Sequence, residues 1–171
     1  MDVMEAIRKR RSIRSYLEDP VEEEKIKKVL EAARLAPSAK NFQEWRYIIV
    51  KDKNTREKLM QAAKGQKFVA EAPVILVACA VTDNHQMTCG QLCYPIDVAI
   101  SLDHISLKAV EEGLGTCWVG AFYENEVKKI LAIPQDVRVV ELMTLGYPKI
   151  MPTPMPRKDL KEIIKYEKWT G

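Results

Sequence analysis

The sequence predicts an α+β fold, and three observations carry that prediction. Short apolar runs rich in β-branched residues, at 46–50 and 73–81, are typical of buried strands. Residues 22–35 instead repeat their apolar positions at helical spacing. The two kinds of element mix without a strict strand-helix-strand rhythm. With 171 residues and 47% apolar composition, the chain is expected to form a single domain over 1–171.

The individual elements follow from local pattern and from capping residues. In the amphipathic segment, Ile26, Val29 and Ala33 share one face and Pro37 closes the helix. Asn54 is a residue type that favours a helix start. In chain order we expect helices over 3–9, 22–35, 54–64, 96–110 and 124–131, strands over 46–50, 73–81, 117–119 and 137–145, and a last short helix over 159–166.

The helix expected over 96–110 is apolar on two faces. One face carries Val98, Leu102, Ile105 and Ala109, and the other carries Ile96, Ala99, Ile100, Leu107 and Val110. A domain of this size has too small a core to bury such a helix on every side. We therefore expect the second apolar face to be buried in a subunit interface. The pattern therefore predicts a homodimer.

Composition and charge narrow the class of protein. Lys plus Arg total 27 against 24 for Asp plus Glu, and a net charge of +3 gives no general field for nucleic acid or a membrane. No run approaches the roughly 18 apolar residues of a membrane span. The first residues lack the apolar stretch of a signal peptide, so we expect a cytoplasmic protein whose four cysteines are reduced.

The first candidate site is the basic cluster Arg10, Arg11, Ser12 and Arg14, which follows the first helix. Guanidinium groups bind the oxygens of a phosphate two at a time, so these residue types suit a phosphate. Four basic residues in a row, Arg8 to Arg11, also match a solvated patch or a nucleic-acid-binding arm. Taken alone, the cluster favours that simpler interpretation.

Two further candidates are loops. Residues 37–45 offer Ser, Asn and Gln side chains that can bond the edge of a planar heterocycle, although an ordinary helix-to-strand connection explains them too. Residues 113–120 are rich in glycine, but Trp118 stands where a dinucleotide-binding loop needs glycine. A P-loop would need Lys and Ser or Thr where Ala121 and Phe122 stand. The glycines allow backbone to approach a flat ligand, or form a tight turn.

Two weaker candidates remain. Arg157 emerges from a proline-rich run as a second phosphate clamp or a surface charge. His85, Cys89 and Cys93 recur every four residues, so on one helix they would share a face and could ligate zinc or an iron-sulfur centre. The alternative is that both cysteines are small apolar fillers and His85 lies at the surface, and we predict no metal site.

Together and in this order, the four constellations resemble the nitroreductase family of FMN flavoproteins, from about Met4 to Arg157. "RRSIR" is similar to the family's first flavin segment, "PSAKNFQEW" to its P-S-x-x-N-x-Q-P-W loop, and "EEGLGTCWVGAF" to the segment beside the isoalloxazine ring. The resemblance implies that FMN is held by Arg10, Arg11, Ser12, Arg14, Pro37, Ser38, Ala39, Asn41, Lys67, Gly115, Thr116, Cys117, Trp118 and Arg157.

The resemblance also implies roles for these residues. Arg10, Arg11, Ser12 and Arg14 would hold the phosphate and ribityl chain, Lys67 would lie near the pyrimidine edge, and Arg157 would be a late phosphate ligand. The loop at 37–41 would reach the flavin bound mainly by the partner subunit. The fold implied is a mostly antiparallel sheet flanked by helices in an obligate intertwined homodimer, with 158–171 packing on the partner.

The activity implied is electron transfer from NADH or NADPH through FMN to a nitroaromatic, a quinone or another electron-poor small molecule, by a ping-pong mechanism. The flavin performs the chemistry, so no catalytic acid, base or nucleophile is assigned. The alternative is a flavin-binding module, or a specialised flavin reductase or dehalogenase-like enzyme. Phe42, Glu44 and Met155 depart from the family pattern, which leaves substrate shape and phosphate affinity open.

Overall fold

The central sheet has four strands, in a computed structural model that describes residues 1–169. The strands are β1 (Trp45–Val50), β2 (Val74–Ala80), β3 (Gly115–Val119) and β4 (Arg138–Gly146), in the spatial order β1-β2-β4-β3. Every neighbouring pair is antiparallel, which confirms the predicted sheet. Since β1 and β3 are the two edges, any motif attached to one lies far from a motif attached to the other.

Helices cover both faces of this sheet. They are α1 (Val3–Lys9), α2 (Glu23–Arg34), α3 (Lys53–Ala62), α4 (Lys67–Glu71), α5 (Cys93–Glu111), α6 (Glu124–Leu131) and α7 (Leu160–Ile163). Helices α2 and α5 pack on one face, and α3, α4 and α6 pack on the other. The α+β prediction is therefore confirmed.

Strand β2 lies at the centre of the sheet and is buried along its whole length. Its side chains alternate between the two cores, with Leu76 in the core beneath α2 and α5 and Val77 in the core beneath α3 and α6. A strand covered on both faces reads as a continuous apolar run rather than an alternating one. This explains why the run at 73–81 was predictable as a strand.

Several predicted boundaries move by a few residues. Helix α3 starts one residue before Asn54, because the Asp52 carboxylate accepts the Thr55 amide at 2.8 Å and caps the helix. Helix α5 begins at Cys93 rather than Ile96. The short helix α4 was not predicted. The last helix, expected over 159–166, reduces to the four residues of α7, which carries a capping box at Asp159.

One face of α5 is uncovered within the single chain. Val98, Leu102 and Ile105 are fully buried on the sheet side. The opposite side forms an apolar groove of about 510 Å³, in which Ile96 is 41% exposed and Ile100 is half-buried. We expected α5 to be buried on all sides, but a single chain buries only the side that faces the sheet.

Gly146, at the end of β4, provides a test of how tightly the sheet packs. A Cβ here would lie 2.5 Å from Pro73 Cδ and 2.9 Å from Tyr16 Cδ1, and the proline ring cannot rotate away. We expect Gly146→Ala to lower the free energy of unfolding by about 1–3 kcal/mol, measured by urea denaturation. At Gly120 the nearest atom to such a Cβ is 3.5 Å away, so Gly120→Ala is the matched control. Equal losses in the two variants would contradict the packing described.

Candidate functional site

The basic cluster lies on an extended segment that docks on the outer edge of β3. Ser12 forms a parallel bridge with Thr116, and the Ile13 amide donates to the Thr116 carbonyl at 2.9 Å. The Tyr16 hydroxyl donates to the Ile13 carbonyl at 2.8 Å and lies 2.6 Å from Thr144 Oγ1. These bonds fix the segment against two neighbouring strands.

Alternation along this extended segment separates the basic residues into two groups. Ile13 is buried, and Arg11 lines the same cavity as Ile13 and Pro148. Arg11 Nη1 also donates to the carbonyls of Arg8, at 2.6 Å, and Arg10, at 2.7 Å. Arg11 is therefore committed to the main chain at the end of α1, unlike its neighbours Arg10 and Arg14.

The groups that influence the pKa of Cys117, on β3, lie beside this segment. Burial raises the pKa of the Cys117 thiol, and the guanidinium groups of Arg14 and Arg10 act in the opposite direction. The Ser12 hydroxyl also favours the thiolate. Arg14 stacks over the Phe68 ring at 5.9 Å. Arg10, Ser12, Arg14 and Cys117 thus form one electropositive cluster at the β3 edge.

Strand β3 contributes the four residues Gly115 to Trp118 that the sequence predicted. The first three are buried, whereas the Trp118 side chain is 37% exposed. A Cβ at Gly115 would collide with Ile13 and Pro148, so glycine is needed where the docked segment crosses the strand. Among these residues, Trp118 offers the accessible aromatic surface.

The polar loop before β1 is tied to the start of α5. Its 3-10 turn spans Ala39–Asn41, and the Ala39 amide donates to Asp97 Oδ2 at 3.1 Å. The Ser38 hydroxyl accepts the Gln43 amide at 3.0 Å, while Pro37 and Asn41 are exposed. Lys40, Asn41 and Gln43 all have positive φ, a conformation that costs non-glycine residues energy and often accompanies function.

Within one chain, this loop and the basic cluster lie at opposite edges of the sheet. The loop leads into edge strand β1, and Ser12 pairs outside edge strand β3. Four inter-strand spacings separate them, which amounts to about 19 Å at ~4.8 Å each. The single chain therefore does not bring the two predicted halves of the site together.

Two other predicted residues, Lys67 and Arg157, are exposed on other elements. Lys67 is exposed at the start of α4 and lines a cavity of about 800 Å³ with Tyr16, Arg56 and Lys149. Arg157 is exposed on the extended segment after β4. Exposed apolar side chains follow it, including Leu160 and Trp169, which are 67% and 85% exposed. The segment over 158–169 has few contacts of its own within one chain.

Glu141 is a notable residue that sequence reasoning missed. It lies on β4, where Oε1 is buried and has no hydrogen-bond partner among the described residues. Burial raises the pKa of this carboxyl to about 7, although the main chain at Val119 acts in the opposite direction. The available signal was a lone carboxylate within the apolar run 137–145.

The suggested grouping of His85, Cys89 and Cys93 on one helix is wrong. Only Cys93 belongs to α5, and the other two lie in the loop before it, where His85 packs edge-on against Phe42 at 5.2 Å. Within residues 1–169, no group of three His, Cys, Asp or Glu side chains is arranged to hold a metal ion. No helix in the same range is long and apolar enough to cross a membrane.

Known proteins are similar to this chain in sequence and in fold. The family model described as "Nitroreductase family" matches residues 7–90 and 61–147. A protein from Methanothermobacter thermautotrophicus named "Putative NADH dehydrogenase/NAD(P)H nitroreductase" is 32% identical, over 99% of this chain and 88% of its own length. "FMN reductase [NAD(P)H]" from Bacillus subtilis is also 32% identical, over 91% of this chain and 70% of its own.

A solved structure agrees with these similarities. The crystal structure of a nitroreductase family protein from Clostridium difficile superposes with a TM-score of 0.89 and 32% identity. The match covers 99% of this chain and 100% of that one. The whole described chain is therefore similar to a single known architecture.

The buried carboxyl of Glu141 predicts how stability changes with pH. Its pKa is higher in the folded protein than the ordinary 4.5, so the unfolded chain loses this proton first. The free energy of unfolding should therefore fall as pH rises from about 4.5 to 7. At pH 8, Glu141→Gln should be more stable than the original chain by roughly 1–2 kcal/mol, after allowance for partial exposure.

Urea denaturation at acid and alkaline pH measures this effect. The exposed Glu126, paired with Lys129 on α6, gives the charge-matched control Glu126→Gln. The gain from Glu141→Gln should disappear near pH 4, where the carboxyl is protonated in both states. A gain that is the same at both pH values would contradict the pKa assignment.

Proposed function

The chain belongs to the nitroreductase family, and from this premise we propose that it is an FMN-dependent oxidoreductase. It takes electrons from NADH or NADPH and passes them to an electron-poor small molecule such as a nitroaromatic or a quinone. The observation that carries the proposal is the cluster of Arg10, Ser12 and Arg14 at the β3 edge, beside the accessible Trp118.

The cluster fits the phosphate and ribityl chain of FMN. Among the described residues, no carboxylate pairs with Arg10 or Arg14, although most other arginines bond a carboxylate or a carbonyl. Two unneutralised guanidinium groups next to a hydroxyl suit a phosphate dianion. Arg157, exposed on the segment after β4, would add a third cation. Arg11, with its donors in use, would contribute mainly its backbone.

The flat ring would lie along the end of β3. Gly115, Thr116, Cys117 and Trp118 would face it, and Lys67 would supply positive charge near the pyrimidine edge, where reduced flavin becomes anionic. Lys67 would have to turn away from the cavity beneath Tyr16 to do so. The name of the Bacillus subtilis relative, an FMN reductase, supports FMN as the bound flavin.

A second copy of the chain would complete the site. Pro37, Ser38, Ala39 and Asn41 precede the edge strand opposite to the one on which their own basic cluster docks, so they would serve the flavin of the partner subunit. The groove along Ile96 and Ile100 of α5 provides apolar surface for the subunit interface, and the exposed Leu160 and Trp169 would pack on the partner.

FMN, when bound, supplies the two-electron carrier that links NAD(P)H to the acceptor. The protein binds and orients the ring, excludes water from one face and places cations where charge develops. No side chain in the cluster is arranged as a nucleophile with a general base. We infer that NAD(P)H and the acceptor occupy one shared site in turn, as in a ping-pong mechanism.

Purified protein should be yellow and should hold close to one FMN per chain, identified by its visible spectrum and by chromatography of the released chromophore. Arg10→Ala should weaken FMN binding by about 10- to 100-fold, because charge-assisted hydrogen bonds contribute roughly 1.5–3 kcal/mol. Lys9→Ala is the matched control, since Lys9 is exposed and paired with Glu5. A colourless protein that FMN cannot reconstitute would overturn the proposal.

Steady-state kinetics test the proposed exchange at one site. With NAD(P)H varied at several fixed concentrations of a quinone, double-reciprocal plots should be parallel. NAD(P)H alone should also bleach the bound flavin before any acceptor is added. Converging lines would show that both substrates bind together and would contradict the ping-pong proposal.

A further inference from the structure

Glu141 has no role in the electron transfer proposed above, although it lies near the proposed flavin site. Its carboxylate lies against Gly120, since a Cβ on that glycine would be 3.5 Å from both carboxylate oxygens. Gly120 directly follows Val119 and the exposed Trp118, at the end of β3 where the ring is proposed to bind. Glu141 is therefore separated from that site by a residue that has no side chain.

The surroundings of Glu141 supply no ion pair. Glu141 of β4 pairs with Ala78 of β2, and Ala78 pairs in turn with Tyr47 of β1. The elements around Glu141 carry these other titratable or charged groups: Arg46 of β1, Cys79 of β2, Cys117 of β3, Arg138 of β4, and Cys93, Tyr94, Asp97, Asp103, His104, Lys108 and Glu111 of α5, with Arg10 and Arg14 beyond Cys117. Tyr47 bonds Ser101, Asp97 accepts the Ala39 amide, and Tyr94 accepts a hydrogen bond from Arg138.

None of these groups neutralises the Glu141 carboxylate. Glu141 interacts electrostatically with Cys117 of the cluster, because a negative charge on Glu141 raises the pKa of the Cys117 thiol. The side chain as a whole is only half-buried, so protons can exchange with solvent even though Oε1 is enclosed. A carboxyl with this placement is sensitive to any new charge that appears beside β3.

We infer that Glu141 is a redox-linked proton site, which binds a proton from solvent when the neighbouring flavin is reduced and releases it when the flavin is reoxidised. The inference rests on the proposed function. A hydride from NAD(P)H would bring two electrons and one proton to bound FMN, so the reduced ring would carry one negative charge. Glu141 carboxylate plus one proton from water then gives the neutral acid.

The reverse change follows reoxidation. The acceptor would take up the two electrons together with the proton that came with the hydride, so the ring would return to neutral, and the carboxylic acid would release its own proton to solvent. A charge of the same sign nearby raises the pKa of a carboxyl, which is the physical basis of the coupling. Burial has already brought that pKa to about 7, so the coupling would act at neutral pH.

The dependence of the flavin midpoint potential on pH tests this inference in the FMN-loaded protein. Each proton taken up with the electrons changes the equilibrium constant for reduction about tenfold per pH unit. At pH values between the pKa of Glu141 beside oxidised flavin and its higher pKa beside reduced flavin, the change in the original chain should therefore exceed tenfold per pH unit and approach a hundredfold, whereas Glu141→Gln should show about a tenfold change throughout. Glu126→Gln, a distant surface control, should behave as the original chain.

Gly120→Ala provides a second variant that keeps the carboxyl. The added methyl would lie in van der Waals contact with the Glu141 carboxylate, and burying that carboxylate more deeply should raise its pKa further, so the steep region should move to higher pH. Identical pH slopes in the original chain and in Glu141→Gln, with FMN bound to both, would overturn the inference alone. Failure of the original chain to bind FMN would overturn the proposed function as well.

Discussion

The docking of an extended segment onto the outer edge of β3 determines the rest of the candidate site. The Ser12–Thr116 bridge, the Ile13 amide bond and the Tyr16 hydroxyl hold seven residues, Arg10 to Tyr16, against the sheet. The alternation of that extended backbone then decides which basic side chains gather beside Cys117. Gly115 is required at the crossing point, because any side chain there would collide with Ile13.

The same docking separates the two halves of the site within one chain. The Arg10 to Arg14 cluster lies outside one edge of the sheet, and the loop at 37–41 leads into the other. Uncovered apolar surface accompanies this separation, on one face of α5 and on the segment that contains Trp169. The homodimer that we propose would account for both features, because a second copy would cover the apolar surface and bring its own loop to the cluster.

Much of the fold was predictable because local pattern and burial agree. The apolar run of β2 and the amphipathic spacing of α2 each point to one kind of element. Helix α4 has only five residues, too few to show a helical period. The start of α3 was misplaced because Asp52 and Asn54 are both residue types that cap helices, and the structure uses Asp52. The motif order indicated the site, but the sequence could not show that Arg11 turns back on α1 or that Glu141 Oε1 is enclosed with no hydrogen-bond partner in the described part of the chain. Those facts depend on tertiary contacts.

A mixed dimer tests most directly whether one flavin site is shared between two chains. The dimer would combine one chain that carries Arg10→Ala with one that carries Asn41→Gly, by co-expression and purification through two affinity tags. If each site takes its cluster from one chain and its loop from the other, one site would contain both changes and the other site neither. Glycine suits the positive φ of Asn41. We expect each mixed dimer to bind one FMN as tightly as the original protein, while the two parent variants bind none as tightly. Loss of all tight binding in the mixed dimer would contradict a site built from both subunits.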